Sequence, residues 1–135
     1  MALVSKRSDH CLSSVKPQLD NIVRAALEAA PAWMDFAVIT GRRTTEEQQA
    51  LFAKGRSEPG EIVTQCDGIH TRSRHQDGEA IDIMAWKDGR GTFNTLDVAI
   101  RAAYIIGFAR GCGIHLTGGV KWGWDQGHIE VVRDA

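Results

Sequence analysis

At 135 residues the chain has the length of one ordinary domain, able to bury about two-thirds of its unfolded surface without a disulfide framework. Its 16 Lys and Arg against 17 Asp and Glu leave a formal charge of −1, which argues against an electrostatic grip on nucleic acid or an anionic membrane. With 43% hydrophobic and 24% charged residues, and no apolar run of transmembrane length, the composition predicts a soluble globular protein without membrane insertion.

The first ten residues lack the apolar stretch of a signal peptide, so synthesis in the cytosol without a Sec-type leader is expected. Over 16–30, Leu19, Ile22, Val23, Ala26, Leu27 and Ala30 follow helical spacing, with Pro17 suited to the first turn. The run 36–40 reads as a strand, and Thr44 with Glu47 as a capping box for a helix ending near Lys54. Residues 55–74 carry Gly, Pro, Ser, Thr and Asp without periodicity and read as a long surface loop, often a functional feature in a small domain. A strand follows over 79–86, then a turn over 87–90. Asn94 and Asp97 open a second long helix carrying Leu96, Val98, Ile100, Ala103, Tyr104 and Ile106. Short strands are expected near 114–117 and 128–132. No repeat or linker divides the chain, so 1–135 is expected to be one domain. Its fold class is α+β: a small, mostly antiparallel sheet with helices packed on one face. The three cysteines, Cys11, Cys66 and Cys112, are odd in number and widely spaced, which fits free thiols in a reducing compartment.

Alternation within two strands links this layout to chemistry. Along 80–85, Ala80, Asp82 and Met84 share one face while Ile81, Ile83 and Ala85 share the other. Along 128–132, His128, Glu130 and Val132 oppose Ile129 and Val131. One sheet face can therefore bury the core while the other floors a metal cleft. His75, Asp82 and His128 supply two imidazoles and a carboxylate, enough to hold Zn2+ with one position open for water. Asp125, three residues before the last imidazole, is placed to act as the base. A lone histidine is more often a surface or satisfied core residue, and a turn carboxylate bonding backbone donors is the plainer account of Asp125. The weight lies in the combination with Ser73, Gly78 and Ala80. Cys66 and His70 offer only a weak second metal motif, and His10 and His115 have no evident partners.

The string 73–82, SRHQDGEAID, resembles the SxHxxGxAxD motif of the LAS metallopeptidases, the group of lysostaphin, D-Ala-D-Ala peptidases and the hedgehog signalling domain. The segment 124–132, WDQGHIEVV, is similar to the closing motif of the peptidoglycan peptidase branch. The early Val-Lys-Pro, the segment Thr40-Gly41-Arg42-Arg43-Thr44 and the short length look most like phage endolysins acting as L-alanyl-D-glutamate peptidases. That resemblance implies a hedgehog/D-Ala-D-Ala peptidase-like fold, zinc on His75, Asp82 and His128, and Asp125 as catalytic base where many relatives carry Glu. Arg43 matches an arginine above the metal that can hold a substrate carboxylate or steady an oxyanion, with Arg42 standing where the family has an aromatic.

Weaker candidates are Ser73, as an anchor of the His75 loop, Glu130, as a partner of His128 or of substrate, and Trp124, with Trp122, as a shelf for glycan or peptide. The implied partner is the peptide stem of bacterial peptidoglycan, cut between L-Ala and D-Glu by a monomer without a separate wall-binding domain. The implied location is the host bacterial cytoplasm on synthesis, then the cell wall after release through a holin. A D-Ala-D-Ala carboxypeptidase or dipeptidase would use the same chemistry, and a non-catalytic zinc-stabilised wall-binding module is the alternative of another class.

Overall fold

Strand pairing carries the architecture. In the computed structural model, which describes residues 4–133, five strands form one antiparallel sheet. They are β1 (Phe36–Thr40), β2 (Ala80–Lys87), β3 (Arg90–Thr92), β4 (Leu116–Gly118) and β5 (His128–Val131), ordered β1-β2-β5-β4 with β3 on the far end of β2. The first three residues of the stretch read for a leader lie outside the described part. Ile81, Ile83, Ala85, Ile129, Phe36 and Val38 are buried on the core face, and Asp82 and Met84 turn to the open face, as the alternation predicts.

The helices are α1 (Lys6–Ser13), α2 (Pro17–Ala29), α3 (Thr45–Ala53), α4 (Thr95–Gly111) and the single turn α5 (Gly119–Trp122). Helix α2 starts on Pro17 and buries Leu19, Ile22, Val23, Ala26 and Leu27 against the sheet and α4. The Tyr104 hydroxyl on α4 donates to the Ala26 carbonyl at 2.6 Å, locking the two helices together. The capping box of α3 is present in both directions: Glu47 N donates to Thr44 Oγ1 and Thr44 N to Glu47 Oε1. The fold is thus the expected α+β arrangement, with α1, α2 and α4 sharing the core with the sheet while α3 stands at the cleft. All three cysteines are free, Cys11 buried and Cys112 exposed.

Helix α1, the short β3 and α5 are additions to the sequence reading, and β4 lies at 116–118 rather than 114–117. The reason for α1 is a sheet edge. Strand β1 ends the sheet, and α1 lies along it: Ser8, itself buried, accepts from Val38 N at 2.9 Å, while Arg7 reaches the Ile39 carbonyl at 3.4 Å. Polar side chains thus satisfy backbone groups that a free edge would expose.

The face of α4 also needs correction. Leu96 and Ile100 are exposed, and the buried stripe runs through Val98, Arg101, Ala102, Ile105 and Ala109. Arg101 displaces its apolar neighbours from that stripe because its guanidinium caps backbone carbonyls of the segment before β1. It donates to Asp35 O at 2.6 Å, Trp33 O at 2.9 Å and Asp97 O at 2.9 Å. Arg101→Met keeps the aliphatic volume but strands these carbonyls. It is expected to lower unfolding stability by about 3 kcal/mol, read as a shifted urea midpoint at unchanged m-value.

Candidate metal centre

The register of β2 and β5 sets Asp82 directly opposite His128, and Ala80 opposite Glu130. His75 arrives from the turn before β2. That turn is held by Ser73, whose hydroxyl accepts from His75 N at 3.2 Å, and by Gln76, whose side-chain oxygen accepts from Ser73 N at 2.9 Å. Gly78 closes it at φ 68°, and a side chain there would run into the Arg42 guanidinium. One ligand-capable atom from each of His75, Asp82 and His128 lies within 4.8 Å of the others. That spacing and donor set suit a divalent ion, and the group is the one such cluster among the described residues.

Hydrogen bonding decides which ring nitrogens face the ion. His75 Nδ1 lies 3.0 Å from the Gly41 carbonyl, which can only accept, so Nδ1 carries the hydrogen and Nε2 is left facing Asp82 at 3.3 Å. His128 Nε2 lies 2.9 Å from Glu130 Oε1, leaving Nδ1 facing Asp82 at 3.3 Å. Each histidine thus has an acceptor behind it, the arrangement that orients imidazole ligands and raises their basicity. The two rings meet edge to face at 5.1 Å.

Charges around Asp82 are closely coupled. Burial opposes its ionisation, but hydrogen bonds from His128 and His75 prevail and hold the carboxyl well below the usual carboxylate range. Burial likewise opposes the charged form of His128, yet Asp82 and Glu130 outweigh it and push the imidazole up to about 9. Asp125 stands apart, half-exposed, with Oδ2 4.0 Å from His128 Nδ1. Burial and the neighbouring Asp82 charge raise its carboxyl. Its backbone is left-handed, at φ 54°. The turn is made possible by Gly119, where a Cβ would overlap the Asp125 carbonyl.

The two arginines of the 40–44 segment part company. Arg43 enters the cleft, with Nη2 3.5 Å from Asp82 Oδ2 and Nη1 donating to Gln48 Oε1 at 3.0 Å. Arg42 turns away, donating to Ser14 O at 2.8 Å and Gln76 O at 3.2 Å, and so ties the end of α1 to the His75 turn. Gln48 escaped the sequence reading. It is fully buried and, besides accepting from Arg43, donates to Cys66 O at 2.9 Å and Thr64 Oγ1 at 3.3 Å, fixing the cleft wall. Its signal was positional: it shares a helical face with Leu51 and Phe52. His70 turns to Asp67 at 2.9 Å, away from any second metal group. Trp122 and Trp124 lie 6.0 Å apart on the cleft rim with their rings tilted 46°, and Trp122 lies 6.0 Å from His128.

Comparison with known proteins bears on family and fold. The profile of the phage L-alanyl-D-glutamate peptidase family matches residues 1–133. The L-alanyl-D-glutamate peptidase of Escherichia phage T5 is 29% identical over 145 residues, spanning 94% of this chain and 96% of that one. The crystal structure of the Serratia marcescens L-Ala D-Glu endopeptidase ChiX superposes with a TM-score of 0.74 at 27% identity, covering 94% of this chain and 87% of that one.

A metal ion held by this cluster would compete with a proton for one atom of His128. Without metal its imidazole stays charged up to about pH 9, and that charge stabilises the fold below the unfolded value of 6.5 and is lost as pH rises through 9. Binding a divalent ion near neutral pH must therefore expel about one proton from this ring, and apparent affinity should climb roughly tenfold per pH unit until about 9. Calorimetric titration in buffers of different ionisation heat counts the proton directly.

Proposed function

The chain belongs to the phage L-alanyl-D-glutamate peptidase family, and from that premise we propose that it is a zinc-dependent endopeptidase cutting the L-Ala–D-Glu bond of the peptidoglycan stem. The observation that carries this reading is the convergence of His75, Asp82 and His128 on one point of the cleft, with the Asp125 carboxylate beside them. These three side chains would hold the zinc. When bound, zinc polarises the scissile carbonyl and brings the pKa of water toward about 7.

The chain's own groups do the rest. Asp125 takes the proton from the attacking water and later delivers it to the departing D-Glu amine. Its raised carboxyl suits both halves of that exchange. Arg43, kept in the cleft by Gln48, offsets negative charge on the carbonyl oxygen as the carbon becomes tetrahedral. Glu130 holds His128 by its far nitrogen, and Ser73 holds the turn that carries His75. Ordinary acid–base chemistry suffices, with no covalent enzyme intermediate. The peptidase acts on the host wall after holin-dependent release from the cytoplasm. Among the described residues no helix is long and apolar enough to cross a membrane.

Asp125→Asn tests the assignment without disturbing the turn, because asparagine accepts a left-handed backbone as readily as aspartate. Its kcat/KM on purified peptidoglycan should fall about 10²–10⁴-fold while zinc content and melting temperature stay put. Undiminished lysis would remove the base role and favour a binding module. Mass spectrometry of the wild-type digest should reveal new amino-terminal D-Glu, whereas free D-Ala would point to a carboxypeptidase.

A further inference from the structure

Two depressions meet over the metal ligands. The larger, of about 940 Å³, runs along Arg43, Ile62, Val63, Arg72 and Arg74. The smaller, of about 510 Å³, runs along Ile39, Phe93, Thr95, Gly123 and Gln126. Asp82, Trp124 and Asp125 border both, so a chain lying across the metal enters one depression on each side of the cut bond.

Their chemistry differs. The larger one carries three arginines, Arg43, Arg72 and Arg74, beside Asp82, Asp125 and Glu130, the last of which pairs with Arg74 at 3.6 Å. Arg72 sits half-exposed at its rim, bonded on one side to Asp77 at 2.9 and 3.0 Å. No cationic side chain lines the smaller depression, whose charges are the bordering Asp82 and Asp125. Its mouth is aromatic instead: Phe93 is 68% exposed and Trp124 67%. Large apolar side chains left open around a concavity mark a surface that a ligand covers. Thr95 and Gln126 add a hydroxyl and an amide. A carboxylate placed there would find no arginine or lysine among the lining residues, whereas an uncharged group with an apolar face and amide or hydroxyl edges finds partners throughout.

The peptidoglycan stem presents these two chemistries on opposite sides of the bond. Beyond the D-Glu nitrogen lies an acidic residue. Before L-Ala lies the lactyl-linked N-acetylmuramyl ring, uncharged, with an acetamido group and an apolar ring face. Resting on the peptidase reading above, we propose that the stem crosses the metal in one direction only, with D-Glu in the arginine-lined depression and L-Ala with its muramyl group in the aromatic one. Phe93 and Trp124 are then a subsite for the sugar end of the substrate, and Arg72 reads the free carboxylate of D-Glu.

The test uses four soluble substrates: the N-acetylmuramyl tripeptide and the N-acetyl tripeptide without sugar, each carrying either D-Glu or its amide, D-isoglutamine. Phe93→Ala should raise KM about tenfold for the muramyl substrates and leave the sugar-free ones unchanged. Arg72→Gln should erase the preference for D-Glu over D-isoglutamine whether or not the sugar is present. A Phe93→Ala effect that ignores the sugar but follows the acidic group, or one equal on all four substrates, would overturn the direction. If wild-type protein released no amino-terminal D-Glu or D-isoglutamine from any of them, the parent reading would fall and the subsites with it. Both substituted side chains are solvent-exposed to a large degree, so unchanged melting curves are expected and check that folding is not the cause.

Discussion

The antiparallel register that faces Asp82 with His128 is the constraint on which the rest of the structure depends. A slip of one residue would turn every side chain of β2 to the other surface, sending Asp82 into the core and Ile83 into the cleft. Registry here is doubly specified. Ile81, Ile83 and Ile129 must be buried, and the backbone of β2 continues its pairing past β5, Ile83 N donating to the Gly127 carbonyl at 3.0 Å. Core packing therefore places the ligands: burying isoleucines on one surface leaves the carboxylate and the imidazole no choice but to meet on the other.

That meeting is electrostatically tense before any ion arrives. Asp82, Glu130 and Asp125 crowd around His128 with Arg43 and Arg74 close by, and the charged imidazole offsets part of their negative charge. A divalent ion replaces one positive charge by two at the same spot. An imidazolium and a divalent ion would thus answer the same group of carboxylates.

Elements governed by local rules were legible in the chain. Helix α2, β1, the capping box of α3 and the faces of β2 and β5 follow from spacing and short-range chemistry. The three ligands stood out for the same reason, since two of them share a strand-scale motif with Gly78. What stayed hidden depends on contacts across the chain. The burial of Arg101 on α4 rests on carbonyls more than sixty residues away, which helical spacing does not reveal. Helix α1 has a polar sequence, and its role as a cover for β1 is visible only once β1 is known to be an edge. Gln48 shares a helical face with Leu51 and Phe52, but its burial rests on groups that come from Arg43 and from an aperiodic loop.

The left-handed backbone of Asp125 bears on the choice between aspartate and glutamate at this position. Among carboxylate side chains, the shorter one populates that region more easily, since its oxygen can bond locally and it carries no extra methylene to crowd the preceding carbonyl. With Gly119 clearing the way beneath, the turn delivers the carboxylate by bending the main chain instead of by lengthening the side chain. Reach and curvature are thus exchangeable quantities in this turn: a longer acid at residue 125 would call for a gentler bend, and the bare backbone at residue 119 is what permits the tight one.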